Sequence, residues 1–215
     1  MNIVFIAPPA AGKGAQSGMI SKEFGIPHVS IGDLLRNVND EKIRKQLSLG
    51  EFVDNSVIEK LLTERLLKDD CKNGYVLDGF PRNSSQIEIY EKIKSISNDK
   101  DNVVIVLDIP KEVGEMRICG RLVCPKCGSV YNELVLESRP KIANICDKCG
   151  KTLAKRKDDN KETYDKRYDT YLKETAPLIN YFEDKGMVYH IDSSKSVLDT
   201  FKDISKVIGG FYDRN

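Results

Sequence analysis

Two Cys-x-x-Cys pairs, Cys124-Pro-Lys-Cys127 and Cys146-Asp-Lys-Cys149, constrain the fold of this chain more tightly than any other feature. Eighteen residues separate the pairs, and a glycine, Gly128 or Gly150, follows each one. Four thiolates at this spacing suit a tetrahedral zinc site, with iron the second choice. A redox dithiol and unrelated free thiols are the other readings. With all four positions filled by protein, none is open for catalysis, so the site reads as structural. A metal held this way supplies folding energy to a segment too small for its own core. Glycine, proline and cysteine punctuate short β-like pieces there (129–131 and 134–136), so residues 121–156 read as an inserted module. Cys71 and Cys119 read as buried or inert thiols, and disulfides are not expected in a reducing compartment.

Outside the module, apolar runs alternate with helical patterns. Strands are expected near 2–6, 28–30, 75–77, 103–107 and 187–191. Helices are expected over 13–24, 32–49, 54–68, 84–96, 111–119, 158–182 and 197–208. Asp54 suits a helix cap, and Pro110 suits a first-turn position. Unbroken apolar strands imply a parallel sheet covered on both faces, hence an α/β, doubly wound fold. The 215 residues carry a net charge of +1, which argues against a broad basic face for nucleic acid. The chain shows neither a basic-apolar leader nor a long apolar run, so no membrane span and a cytoplasmic location are expected.

The first strand runs into Ala7-Pro8-Pro9-Ala10-Ala11-Gly12-Lys13-Gly14 and then a helix. That context suits phosphate: loop and helix amides point at the anion, and the lysine reaches the outer oxygens. The general pattern G-x-x-x-x-G-K-[ST] fails here at Ala7 and Gly14. A plain strand-to-helix turn is the alternative. Asp78-Gly79-Phe80-Pro81-Arg82 ends another strand, where open α/β sheets bind ligands. Asp78 is placed to order the water shell of Mg²⁺, and Arg82 offers a planar fork to phosphate.

In order along the chain, these segments resemble the nucleoside-monophosphate kinases of the adenylate kinase family. The loop resembles G-x-P-G-x-G-K-G-T-Q, matching at Pro9, Gly12, Lys13, Gly14 and Gln16 and departing at Ala7, Ala10 and Ala15. Ile31-Gly32-Asp33-Leu34-Leu35-Arg36 resembles T-G-D-[LM]-L-R, with Ile31 in place of threonine. D-G-F-P-R is complete. Arg117-Ile-Cys-Gly120-Arg121 resembles R-x-x-G-R-R, with Leu122 last. Arg156, Asp158, Asp159, Thr163 and Arg167 resemble R-x-D-D…E-T…R. Val130-Tyr131 resembles the lid segment that contacts ATP, with Asn132 where the family has histidine. Lys195 resembles a position near the ATP base.

The resemblance implies a P-loop kinase core with a five-stranded parallel sheet flanked by helices (1–30, 54–120, 157–215). It also implies a monophosphate-binding insert (31–53) and a four-cysteine zinc-ribbon lid (121–156). The insert is expected to have little room for two full helices. The implied reaction is ATP + AMP ⇌ 2 ADP, Mg²⁺-dependent, with Lys13, Asp78, Arg82, Arg121, Arg156 and Arg167 as catalytic residues. Implied ATP contacts are Ala10, Ala11, Gly12, Lys13, Gly14, Ala15, Arg117, Arg121, Val130, Tyr131 and Lys195. Implied AMP contacts are Ile31, Arg36, Glu51, Phe52, Val53, Gly79, Phe80, Pro81, Arg82, Gln86, Arg156 and Arg167. Zn²⁺ would sit on Cys124, Cys127, Cys146 and Cys149, and a monomer is expected. After Arg82, Asn83 leans to the pyrimidine-kinase pattern and Gln86 to the adenine pattern, whose amide suits an adenine edge. A CMP or UMP kinase therefore stays open. So does a weakened nucleotide-binding paralogue, given Ala7, Ala10, Ala15, Ile31, Leu122 and Asn132. A zinc-ribbon nucleic-acid module is the third alternative, and the absence of aromatic stacking positions around the ribbon counts against it.

Overall fold

Side chains alternate across a strand, so an apolar run covered on both faces feeds two cores at once. In the first strand, β1 (Asn2–Ile6), Val4 and Ile6 join one buried cluster while Ile3 and Phe5 join the other. The computed structural model describes residues 1–49, 51–96, 102–156 and 158–212. Four more strands lie parallel to β1: β2 (His28–Ser30), β3 (Tyr75–Asp78), β4 (Asn102–Asp108) and β7 (Val188–Asp192). Their order is β2-β3-β1-β4-β7, the five-stranded parallel sheet expected.

Helices α1 (Lys13–Phe24) and α9 (Val197–Tyr212) cover one face through Ile20, Ile204 and Ile208. The other face carries α2 (Ile31–Arg36), α3 (Glu41–Leu49), α4 (Asn55–Leu66), α5 (Ile87–Ile96) and α8 (Leu178–Glu183). Residues 31–53 share that main core through Ile31, Leu35, Ile43 and Val53. Two helices, α6 (Lys111–Cys119) and α7 (Lys161–Thr170), flank the cysteine-bearing segment. They are tied by Lys111–Asp165 at 2.8 Å and Lys161–Glu115 at 2.6 Å. Between them β5 (Arg121–Val123) and β6 (Val130–Asn132) form an antiparallel pair. This segment has a small core of its own, Leu122, Cys124, Cys146 and Leu153. No helix among the described residues is long and apolar enough to cross a membrane.

Asp54 accepts from Ser56 N at 2.8 Å, the cap expected of it. Other expected elements shift, and each shift has a local cause. The helix expected over 32–49 breaks into α2 and α3, two short helices. Asp40 Oδ1 takes the amides of Lys42 and Ile43 at 2.7 and 3.1 Å, starting a second helix instead of continuing the first. The β-like piece 134–136 is a turn entering a 3₁₀ segment at Leu136–Ser138. The helix expected from Asp158 starts at Lys161, where Asn160 Oδ1 accepts from Thr163 N at 2.9 Å. It relaxes into a wide π turn at Tyr171–Thr175, just before Pro177. There Ala176 N reaches Tyr171 O at 2.8 Å, and proline has no amide to continue the ladder.

Candidate active site

A cleft of about 1400 Å³ opens at the carboxyl ends of β1 and β3, where the strand order reverses. The loop leaving β1 enters α1 through Gly12, whose φ of 92° an L side chain rarely adopts. No side chain caps α1, so its first amides stay available to an anion. Ala10 also holds a left-handed backbone, φ 62°, where glycine would be at ease. Ala10→Gly relieves that strain at some entropic cost, and is expected to add about 0.5–1 kcal/mol of stability. A rise in the urea midpoint at unchanged m-value would show it.

Lys13 Nζ donates to Ala7 O at 2.8 Å and Pro8 O at 3.0 Å. Burial, with Arg82 and Arg121 near it, lowers its pKa to about 8 despite the opposing charge of Asp78. Asp78 closes β3 and receives His28 Nε2 at 3.2 Å. Burial pushes the carboxyl up, but the His28 bond and the charges of Lys13 and Arg82 outweigh it and hold the pKa below the ordinary value. A built Cβ on Gly14 would lie 3.9 Å from Asp78 Oδ2, so loop and carboxylate face each other closely. The turn after β3 holds a cis Phe80–Pro81 peptide. Arg82 Nε donates to Gly79 O at 2.7 Å, and Thr175 Oγ1 donates to Arg82 O at 2.6 Å.

Further arginines from several elements reach the same cleft, three of them held by carboxylates. Arg36 pairs with Asp33 at 2.5 Å and Arg167 with Asp158 at 2.5 Å. Arg121 forks onto buried Asp159, with Nε donating at 2.7 Å. Arg117 Nη2 donates to Lys195 O at 3.1 Å. The Arg156 guanidinium has no hydrogen-bond partner among the described residues, and burial next to Arg121 and Arg36 lowers its pKa. A cleft with this excess of cations is built for a polyanion.

Of the sequence-expected residues, Ala10 to Ala15, Arg36, Glu51, Phe52, Asp78, Gly79, Pro81 and Arg82 line the cleft. So do Arg117, Arg121, Val130, Tyr131, Arg156, Arg167 and Lys195. Ile31, Val53, Phe80 and Gln86 are buried instead. The Gln86 amide is engaged internally: Oε1 accepts from Arg82 N at 2.8 Å and Nε2 donates to Asn55 Oδ1 at 3.1 Å.

The four cysteine sulfurs lie within 4.8 Å of one another. Nearest pairs are Cys124–Cys149 at 3.4 Å and Cys127–Cys146 at 3.5 Å. Disulfide sulfurs sit about 2.05 Å apart, whereas Zn–S bonds of about 2.3 Å set tetrahedral sulfurs roughly 3.8 Å apart. The cluster therefore fits one four-coordinate ion. Tyr131 closes it from the cleft side, its Oη accepting from Asp147 N at 2.9 Å and lying 3.6 Å from Cys146 Sγ.

Residues 5–187 match the adenylate kinase family model. The chain belongs to the adenylate kinase family. Its relatives include the adenylate kinase of Caldanaerobacter subterraneus subsp. tengcongensis, 42% identical over 98% of this chain and 97% of that one. The adenylate kinase of Thermoanaerobacter sp. (strain X514) is 40% identical over 97% and 98% of the two chains. That of Archaeoglobus fulgidus is 38% identical over the same shares.

Sequence reasoning did not single out several residues that line this adenylate kinase family cleft. Arg44 from α3, His28, Tyr171 and Thr175 are among them, as are Ser196, Val197 and Leu198, which follow the expected Lys195. Arg44 carried a weak signal, a cation directly after Ile43, the buried residue of α3. The others reach the cleft only through strand and helix packing that no local pattern announces.

Proposed function

We propose that the chain catalyses the reversible transfer ATP + AMP ⇌ 2 ADP, dependent on Mg²⁺. The observation that carries this reading is the convergence of Lys13 with Arg36, Arg82, Arg121, Arg156 and Arg167 on one cleft beside Asp78. Phosphoryl transfer asks little covalent work of a protein; it needs in-line positioning and charge stabilisation. Lys13 and the α1 amides would hold the donor's outer phosphates. Arg36 and Arg82 would grip the acceptor phosphate from the opposite side. Arg121, Arg156 and Arg167 would bridge between them, exchanging Asp159 and Asp158 for phosphate oxygens. A bound Mg²⁺ would neutralise charge between donor phosphates, and Asp78 would orient its water shell. Zn²⁺ on the four cysteines would hold the segment 121–156 in shape as a lid over the donor, and residues 31–53 would carry the acceptor. Closure of that lid would exclude water, which otherwise competes as acceptor. The reading takes the chain as a monomer of the cytoplasm with no nucleic-acid or membrane partner, on resemblance and near-neutral charge.

The test is steady-state turnover of Mg·ATP with AMP, CMP, UMP and GMP in turn. Fast ADP formation with AMP alone is the expected result. Preference for CMP or UMP would make Asn83 the better guide to the base. ATP binding without turnover on any acceptor would sink the enzymatic reading.

A further inference from the structure

We infer that Asn132 is a positioning residue for the donor nucleotide, acting through the last turn of α6, which it caps from the lid. The inference rests on the reading above that the cleft binds ATP. Asn132 stands where the resembled lid segment carries histidine, and no direct contact to a nucleotide is needed to explain it. It is 8% exposed, and both ends of its amide are used. Nδ2 donates to Arg117 O at 2.8 Å. Oδ1 accepts from Leu134 N at 2.9 Å and Val135 N at 3.1 Å.

The Arg117 carbonyl belongs to the final turn of α6, where carbonyls lack helical partners. Its cap therefore comes from another element, fifteen residues along the chain. Asn132 also stands directly opposite Arg121 on the β5–β6 ladder. One side chain thus fixes the backbone of Arg117 and sits across from Arg121, both of which line the cleft. The approach is close: a Cβ on Gly120 would collide with Asn132 Oδ1 and with Leu134. Glu133 N to Gly120 O at 2.8 Å and Lys155 to Glu133 at 2.5 Å brace the same joint.

The bland alternative is that Asn132 only caps its own turn at Leu134 and Val135. Two variants separate the roles. Asn132→Ala removes all three bonds. Asn132→Asp keeps both acceptor bonds and loses only the donation to Arg117 O.

Calorimetric titration with Mg·ATP, and separately with AMP, reads the outcome without requiring turnover. Asn132→Ala is expected to weaken ATP about tenfold, the scale of a lost buried hydrogen bond, with AMP changed less than about twofold. Asn132→Asp is expected to weaken ATP similarly at a urea midpoint close to the parent's. Its ratio to the parent should persist at about 0.5 M salt, which screens simple charge repulsion. In an Arg117→Ala background, Asn132→Ala should cost ATP binding less than about twofold more, as coupled residues do. An Asn132→Asp protein that binds ATP like the parent, or a fully additive double variant, overturns the inference. A parent that binds no ATP would instead overturn the phosphoryl-transfer reading.

Discussion

Lys13→Met is expected to lower kcat/KM for ATP by about three orders of magnitude while the protein stays folded, since loss of one preorganised charge-stabilising donor costs roughly 10²–10³ in rate. Lys13 is the sole lysine of the phosphate loop, and it lies against two carbonyls rather than a carboxylate. The nearby arginines cannot replace it cheaply. Arg36, Arg121 and Arg167 each already hold an aspartate, and releasing one leaves that carboxylate unpaired. Methionine matches the lysine stem in length, so the expected structural cost is confined to the Ala7 and Pro8 carbonyls. The pH dependence should carry a second signature. With the free Lys13 at about 8, the protonated form that attracts phosphate is present below that value and drains away above it. ATP affinity of the parent should therefore fall as pH rises through 8, by at most tenfold per unit. The methionine variant should lose this dependence between about pH 7.5 and 9. Turnover within tenfold of the parent, or an unchanged pH profile, would show that Lys13 lies outside the phosphate path.

Much of the fold could be read from local pattern, because the decisive signals were local. The apolar run at Ile3–Val4–Phe5–Ile6 has no polar alternation, so only a strand covered on both faces accommodates it, and both cores confirm that. Cysteine spacing likewise predicted a cluster that the backbone closes through the left-handed glycines Gly128 and Gly150. Misreadings fell where a polar side chain competes for the backbone. Asp40 starts α3 by taking two amides, and Asn132 turns residues 134–135 away from strand geometry. Hydrophobic pattern alone reads one helix over 32–49 in the first case and a short β-like piece at 134–136 in the second. The bond from Asn132 to Arg117 O and that from Gln86 to Asn55 depend on distant elements meeting. Ala10 shows the opposite limit: its neighbours force a conformation its own residue type disfavours.

Cys146→Ser is expected to unfold the cysteine-bearing segment 121–156, the proposed lid, without unfolding the sheet and its helices, and to cut turnover at least a hundredfold. The segment 121–156 has 36 residues, in the range where a chain needs metal or disulfides to fold. Its buried apolar side chains beyond the cysteines are Leu122 and Leu153, and among the described residues neither main apolar cluster includes a side chain of this segment. A structural zinc site contributes on the order of 10 kcal/mol to such a module, far more than these two leucines supply. Serine fills the space of cysteine but offers a poor fourth ligand, so most of that contribution is lost. Amide exchange should then accelerate across β5, β6 and the loops to residue 156, while β1, β3 and β4 keep their protection. The core, with its own two clusters, has no cause to lose its cooperative unfolding transition. Turnover falls because Arg121, Arg156 and Tyr131 leave the cleft together, and misplaced charges stabilise no transition state. Metal content measured alongside exchange separates the causes. A variant that loses its metal yet keeps lid protection would show that the hinge bonds around Asn132 and Lys155 fold the lid unaided, leaving the cysteines without a structural role.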